Sequence, residues 1–210
     1  MAVSKTVTPE RLRSAVAAGL TTLGENRVQE LAAKAALLPG VTWHLVGHLQ
    51  ANKARTALAV ASVIESVDSL ELAGRLERLL EGGPGAPRPV YLQVNVDGDP
   101  AKTGFAPEAL PALLPGIAGL SHLRLAGLMT VGWLAATPEA ARPTFVALRR
   151  LSEALRAREP RLGPGLSMGM TDDFEVAVEE GATIVRVGRA IFGERPPPPE
   201  PSPGGSFGRS

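Results

Sequence analysis

Lysine is scarce in this chain, and one lysine stands where it could react. Of the 22 basic residues only four are lysine, namely Lys5, Lys34, Lys53 and Lys102. Lys5 ends the short segment AVSK, residues 2–5, which we predict to be the first strand. Burial disfavours the charged form of a lysine, and the neutral amine attacks aldehydes to form a Schiff base. The alternative is a first-strand lysine whose side chain reaches solvent near the chain terminus.

Two glycine-containing segments near the other end of the chain could hold a phosphate. They read LSMGMT at 166–171 and IVRVG at 184–188. Gly169 and Gly188 offer backbone N–H groups at predicted strand ends, and Ser167 could donate a hydrogen bond to a phosphate oxygen. In the alternative interpretation, the glycines serve tight turns and Ser167 fills a small core position.

Several other kinds of site are disfavoured. The chain has no cysteine, which excludes disulfides, thiolate zinc sites, iron–sulfur clusters and a cysteine nucleophile. His44 and His48 are four residues apart, but on a strand and its following turn this spacing does not place them on one face. We therefore interpret His44 as a hydrogen-bonded core residue, and we predict no metal site. The glycine fingerprints of dinucleotide and P-loop sites are also absent.

These residues must be positioned by an alternating series of strands and helices. Short apolar runs predict eight strands, at 2–5, 22–23, 42–46, 62–67, 89–96, 124–131, 166–168 and 183–187. Helical patterns follow each strand except the last. Such alternation predicts a parallel sheet, and eight units fit an α/β fold of the closed (β/α)8 TIM barrel type. A doubly wound open sheet is the alternative.

Composition restricts the class of protein. The formal net charge is only +1, so we expect no nucleic-acid partner. No apolar run reaches the length of a membrane span and the first residues do not resemble a secretory signal, so we expect no membrane association and a cytoplasmic location. We predict one domain over 1–195 and a disordered tail over 196–210, where nine of 15 residues are Pro or Gly.

Six segments of the sequence together resemble a known family. In chain order they are AVSKTVTPE, GENRVQE, WHLVGHLQANK, LAGLMTVG, LSMGMTDDFEVAVEEGATIVRVG and AIFGER, and they span residues 2–195. This set is similar to the pyridoxal 5′-phosphate (PLP) homeostasis protein family. The resemblance implies a barrel of the alanine racemase N-terminal type that holds PLP as an internal aldimine, without an established turnover reaction. It also implies a role in intracellular PLP homeostasis or carriage.

The resemblance also assigns roles to individual residues. It places the Schiff-base lysine at Lys5 and the phosphate at Ser167 and Gly188. It places Arg186 against the pyridine nitrogen, as in the related racemases, and Asn26 along the wall of the site. Together with Gly169 and Arg189, these are the expected PLP-binding residues; none is expected to be catalytic.

The sequence departs from the family pattern in two places. Family members have a helix before the first strand that helps close the barrel, whereas Ala2 already belongs to the predicted strand; this puts the stability of the closure in question. Members also commonly carry Thr or Ser where this chain has Arg189, which removes a hydroxyl contact to the phosphate. The backbone N–H remains there, and a guanidinium could replace the hydroxyl.

Two enzymatic alternatives stay open beside the carrier function. The first is a PLP-dependent amino-acid racemase, which needs a base on each face of the substrate carbon. The related racemases use a tyrosine, and Tyr91 is the only tyrosine here and lies toward the wrong end of the barrel. The second is a Schiff-base aldolase acting on a phosphosugar. For the carrier we expect a monomer whose partners are PLP and PLP-dependent apo-enzymes.

Overall fold

Eight parallel strands form one sheet in which each strand pairs with the next along the chain. The structure is a computed structural model that describes residues 1–83, 85–133 and 135–193; the predicted tail at 196–210 lies outside them. The strands are β1 Ala2–Val3, β2 Thr22–Glu25, β3 Thr42–Leu45, β4 Val63–Val67, β5 Arg88–Gln93, β6 Leu123–Met129, β7 Gly165–Met170 and β8 Ile184–Arg186.

The sheet closes into a barrel between its first and last strands. Ala2 of β1 forms a parallel bridge with Val187, directly after β8. The Val3 N–H donates to the Val187 carbonyl at 2.9 Å, and the Val187 N–H donates to the Met1 carbonyl at 3.1 Å. These bonds continue the ladder around the seam, so the predicted (β/α)8 barrel is confirmed and the open-sheet alternative is wrong.

Helices return the chain on the outside of the barrel. They are α1 Pro9–Ala17, α2 Val28–Leu37, α3 Ala54–Val60, α4 Leu70–Leu80, α5 Leu110–Ala118, α6 Arg142–Arg156, α7 Phe174–Glu179 and α8 Arg189–Phe192, with 3₁₀ turns at Ala51–Lys53 and Glu139–Ala141. The prediction that the last strand has no helix is wrong, because the four residues of α8 follow Gly188.

Local sequence accounts for where several helices begin. Pro9 occupies the first turn of α1, where its missing N–H is not needed. Ser69 caps α4, since its Oγ accepts from the Leu72 N–H at 3.2 Å. Pro111 lies in the first turn of α5, but Pro115 lies inside this helix, which persists because its apolar face packs on the barrel through Leu114 and Ile117.

The core has a layer between the sheet and the helices and a second layer inside the barrel. Buried helix residues such as Leu12, Leu31, Leu76 and Phe145 belong to the first layer. The second layer is partly polar, because the fully buried Glu65 on β4 and Ser167 on β7 meet across the barrel interior. Within the described part of the chain, no helix combines the length and apolarity needed to cross a membrane.

Candidate functional site

Three of the predicted site residues lie at the same end of the barrel. Lys5 follows β1, Asn26 follows β2, and Gly188 follows β8, and these three strands are neighbours around the closed barrel. A Cβ built on Gly188 would lie 3.2 Å from the Val3 carbonyl oxygen, two residues before Lys5. The carboxyl ends of parallel barrel strands form the usual active-site face of this fold. We call this end, which carries Lys5, Asn26 and Gly188, the mouth.

The backbone beside Lys5 is anchored by a buried ion pair. The Lys34 Nζ donates to the Ser4 carbonyl at 2.7 Å and to Glu25 Oε1 at 2.5 Å. The Ser4 hydroxyl also donates to Glu25 Oε1, at 2.7 Å. Ser4 and Glu25 are fully buried, so these bonds hold the residue before Lys5 in one position. The backbone directly before Lys5 is therefore held in place at the mouth.

Lys34 was not predicted as a site residue, although the sequence contains a signal for it. In α2 it lies three residues after Leu31 and four before Leu38, so helical spacing places it on the apolar face. Its side chain is only 9% exposed. A lysine on that face needs a buried anion, and Glu25 supplies one.

Arg186 points into the barrel interior just below the mouth. Its Nη1 donates to the Ser167 hydroxyl at 2.7 Å, and its Nη2 donates to the Thr130 carbonyl at 2.6 Å. Burial lowers the pKa of this guanidinium, an effect that the negative charges of Glu65 and Asp173 oppose. The Arg186 guanidinium is therefore a buried cation in the barrel interior, directly below the mouth.

The Ser167 hydroxyl is engaged within the barrel. It donates to Glu65 Oε2 at 2.5 Å while accepting from Arg186, and Glu65 Oε1 lies 2.5 Å from His44 Nδ1. This arrangement favours the core interpretation of Ser167 over a phosphate contact. Residues 165–169 also fit the G-x-S-x-G pattern of hydrolase nucleophiles, but Ser167 lies buried within a strand and not on an exposed strand-to-helix turn.

A different hydroxyl lies where a phosphate could bind. Thr171 directly follows β7, and its Oγ1 accepts from the Gly188 N–H at 3.3 Å. No role was predicted for this last residue of LSMGMT, although a hydroxyl directly after β7 is the signal that marks it. The Arg189 guanidinium pairs with Asp172 beside these groups. Thr171, Gly188 and Arg189 thus form a donor-rich corner of the mouth.

Gly169 has a packing reason for being glycine. Its φ is +87°, and an added Cβ would lie 2.4 Å from the Ala177 Cβ on α7. The residue therefore allows α7 to pack closely on β7. This observation supports the alternative in which position 169 requires glycine for its backbone conformation and not for binding a phosphate.

Asn26 lines a cavity of about 500 Å³ beside the ends of β2 and β3, together with His48, Gln50 and Lys53. The close approach of this loop to the residues after β3 depends on Gly47, where a Cβ would lie 2.1 Å from the Asn26 carbonyl oxygen. The cavity wall is polar, so it suits a ligand with several hydrogen-bonding groups.

The histidines and the tyrosine lie as their sequence positions predicted. His44 is buried and bonded to Glu65, which confirms it as a hydrogen-bonded core residue, and His48 pairs with Asp68 at 2.9 Å.

The Tyr91 ring lies against Gly165, the first residue of β7, and thus toward the amino ends of the strands. Burial raises the pKa of the Tyr91 hydroxyl, and the negative charge of Glu65 raises it further.

Comparison with known proteins identifies the family. The family model described as "Alanine racemase, N-terminal domain" matches residues 1–196. The pyridoxal phosphate homeostasis protein of Pseudomonas aeruginosa is 44% identical over 198 residues, covering 93% of this chain and 84% of that protein. That of Aquifex aeolicus is 40% identical over 197 residues, covering 93% and 86%.

A solved structure agrees with the sequence comparison. PipY of Synechococcus elongatus, determined with PLP bound, superposes with a TM-score of 0.85 at 42% identity, covering 92% of this chain and 91% of that one. The agreement extends over the whole barrel. The chain therefore belongs to the alanine racemase N-terminal domain family and, within it, to the pyridoxal phosphate homeostasis proteins.

Proposed function

We propose that this chain binds PLP at the mouth through Lys5 and serves intracellular PLP homeostasis or carriage. The observation that carries the proposal is the placement of Lys5 directly beyond β1 and of Gly188 directly beyond β8, at the seam where Ala2 pairs with Val187, with the Thr171 hydroxyl bonded to the Gly188 N–H. Relatives named for PLP homeostasis at 40–44% identity and a PLP-bound structural neighbour support it.

The donor groups of the mouth fit the parts of PLP. The phosphate would bind to the Gly188 N–H and the Thr171 hydroxyl, and Arg189 could turn from Asp172 to add a charged contact. PLP itself supplies an aldehyde, with which a neutral lysine amine reacts. Arg186 lies below the mouth as a buried cation, which suits a partner for the pyridine nitrogen, and Asn26 would line the entrance.

The positions of the basic groups favour binding over turnover. Arg186 beside the pyridine nitrogen would keep that nitrogen unprotonated and weaken the cofactor as an electron sink. Tyr91, the residue type that the related racemases use as second base, lies against Gly165 toward the opposite end of the barrel. We further propose that the barrel domain, residues 1–195, acts as a monomer that passes PLP to apo-enzymes.

Chemical trapping tests the assignment of Lys5. Wild-type protein mixed with PLP should absorb visible light, and borohydride reduction followed by peptide mapping should place the adduct on Lys5. Lys5→Ala should lose this absorption and retain its circular dichroism spectrum. Lys102→Ala is the matched control and should behave as wild type, because the Lys102 amine donates to the Gly132 carbonyl in the loop after β6. A reduced adduct found on Lys53 or Lys102 of the wild type would contradict the assignment.

The racemase alternative has its own test. Because Tyr91 lies toward the opposite end of the barrel, incubation with alanine, serine or glutamate in deuterated solvent should give negligible exchange of the α proton by NMR. Multiple turnovers of exchange that depend on Lys5 and scramble the stereochemistry would favour an enzyme.

A further inference from the structure

Four buried polar side chains form a continuous chain across the barrel interior. His44 on β3 contacts Glu65 on β4, Glu65 contacts Ser167 on β7, and Ser167 contacts Arg186 on β8, all within 2.5–2.7 Å. The exposed fraction of each residue is at most 7%. We call these four residues the interior relay. It ends at Arg186, directly below the mouth.

Hydrogen-bonding chemistry gives the interior relay one direction. A guanidinium can only donate, so the Ser167 oxygen must accept from Arg186. The single hydroxyl proton of Ser167 is then left for Glu65, whose Oε2 accepts it. The second oxygen of this carboxyl group, Oε1, lies 2.5 Å from His44 Nδ1. Glu65 is therefore the common partner that links His44 to Ser167 and fixes the direction of the Ser167 hydroxyl.

Charge gives Glu65 a second effect on Arg186. A cation buried in a barrel needs a nearby anion, and the carboxylates that act on Arg186 are Glu65 from β4 and Asp173 from the turn before α7. Asp173 Oδ1 is already held by the Met170 N–H at 2.6 Å. Glu65 thus supplies the negative charge from the interior side of the barrel, where the guanidinium points.

We propose that Glu65 is a positioning residue for the ligand, holding the Arg186 guanidinium through Ser167 in the orientation that meets the pyridine ring. The inference rests on the proposed function, because it needs PLP in the mouth. It assigns Ser167 to the ring side of the ligand and not to the phosphate. It therefore predicts which ligands respond when the interior relay is broken.

Paired titrations with PLP and pyridoxal distinguish the two roles. Both ligands contain the pyridine ring, but only PLP carries the phosphate. Glu65→Gln removes the charge at nearly constant shape, and Ser167→Ala cuts the link to Arg186. Each variant should raise the Kd of both ligands by the same factor, about 10-fold if one charge-assisted hydrogen bond is lost. Each should also shift the absorption maximum of bound PLP, because the contact to the ring changes.

Two further variants separate positioning from general destabilisation. Glu77→Gln alters a buried carboxylate outside the barrel interior and should lower stability while leaving both Kd values and the spectrum unchanged. In an Arg186→Met background, Ser167→Ala should have no additional effect on either Kd, because the group that it positions is gone. If Glu65→Gln fails to fold, Ser167→Ala still provides the test, since it leaves the His44–Glu65 contact in place.

The outcomes are separable. A loss of affinity confined to PLP would assign Ser167 to the phosphate and overturn the inference. Unchanged Kd values for both ligands in Glu65→Gln and Ser167→Ala would overturn it as well, while leaving the proposed function intact. Failure of the wild type to take up PLP would instead overturn the proposed function, and the inference with it.

Discussion

At the residue scale, two hydroxyl groups of β7 and its following turn have different surroundings. Ser167 lies inside the barrel between Glu65 and Arg186, whereas Thr171 lies at the mouth beside the Gly188 N–H. Ser167 lies within β7, whereas Thr171 follows the last residue of this strand, so the chain has left the barrel wall before it reaches Thr171. Thr171 is therefore the hydroxyl that we assign to the phosphate.

Thr171→Val tests this assignment because it removes the hydroxyl at nearly constant shape. We expect it to weaken PLP binding by about 1–3 kcal/mol, the range for a lost hydrogen bond to a charged group. Pyridoxal should bind to the variant as it does to the wild type. The measurement is a titration of apo-protein with each ligand, followed by absorbance.

Thr137→Val is a suitable control, since Thr137 precedes the turn Glu139–Ala141 and caps it by accepting from the Ala140 N–H. It should leave both affinities unchanged. An equal loss of PLP and pyridoxal affinity in Thr171→Val would place this hydroxyl away from the phosphate.

At the element scale, α4 is tied to the start of β6 by one carboxylate. Glu77 accepts from the N–H groups of Ser121 and His122 at 2.9 and 3.0 Å, and lies 2.8 Å from His122 Nδ1. Burial alone would raise the pKa of Glu77, but the hydrogen bonds from His122 and Ser121 outweigh it, and the pKa lies below its ordinary value. The ionised carboxylate thus holds a helix against the chain entering the sheet.

This lowered pKa predicts how stability depends on acid. A carboxyl whose folded pKa is depressed stabilises the fold above its unfolded pKa, near 4.3, and loses that effect as the pH falls through the folded pKa. Glu77→Gln should therefore cost about 1–2 kcal/mol at pH 7. The difference from wild type should shrink below about pH 4. Urea unfolding across this pH range measures it.

Glu108→Gln, at an exposed position, is the control and should follow the wild-type curve throughout. A Glu77→Gln difference that stayed constant down to pH 2 would show that the charge of this carboxyl does not contribute.

At the scale of the whole molecule, the barrel depends on its seam between β1 and β8. β1 has only two residues, and the seam is held by backbone bonds from Val3 to Val187 and from Val187 to Met1, with the terminal amine donating to the Val185 carbonyl at 3.0 Å. These bonds close the barrel at the point that the family comparison had put in question. In our proposal, PLP contacts Lys5 on one side of the seam and Gly188 on the other.

Ligand binding should therefore protect the seam from hydrogen exchange. A ligand that binds only the closed barrel stabilises it against local opening by mass action. We expect saturating PLP to slow exchange in peptides covering residues 1–7 and 184–190 more than in peptides covering β5. Mass spectrometry of wild type with and without PLP provides the measurement.

Lys5→Ala removes the covalent contact to PLP and leaves the non-covalent contacts in place. In this variant, PLP should protect the peptides of the seam less than it does in the wild type. Equal protection in all strands, or protection limited to β5, would show that PLP does not bridge β1 and β8.

The class of fold, and the residues that follow the strand ends, could be predicted from the sequence alone. Alternating apolar runs and helical patterns are local signals, and they predicted all eight strands. Strand ends follow from the same signals, which is why the sequence could place Lys5, Asn26 and Gly188 directly after β1, β2 and β8. The extra helix α8 was missed because its four residues are too few to show a helical period.

Only the tertiary structure decided which polar groups meet. Ser167 and Glu65 are 102 residues apart, and they touch because the closed barrel turns both side chains inward at one level. The same closure places the Thr171 hydroxyl beside the Gly188 N–H, 17 residues later in the chain. Such contacts depend on the register between distant strands, which no local period encodes, and this is why Ser167 was assigned to the phosphate from sequence and to Arg186 from structure.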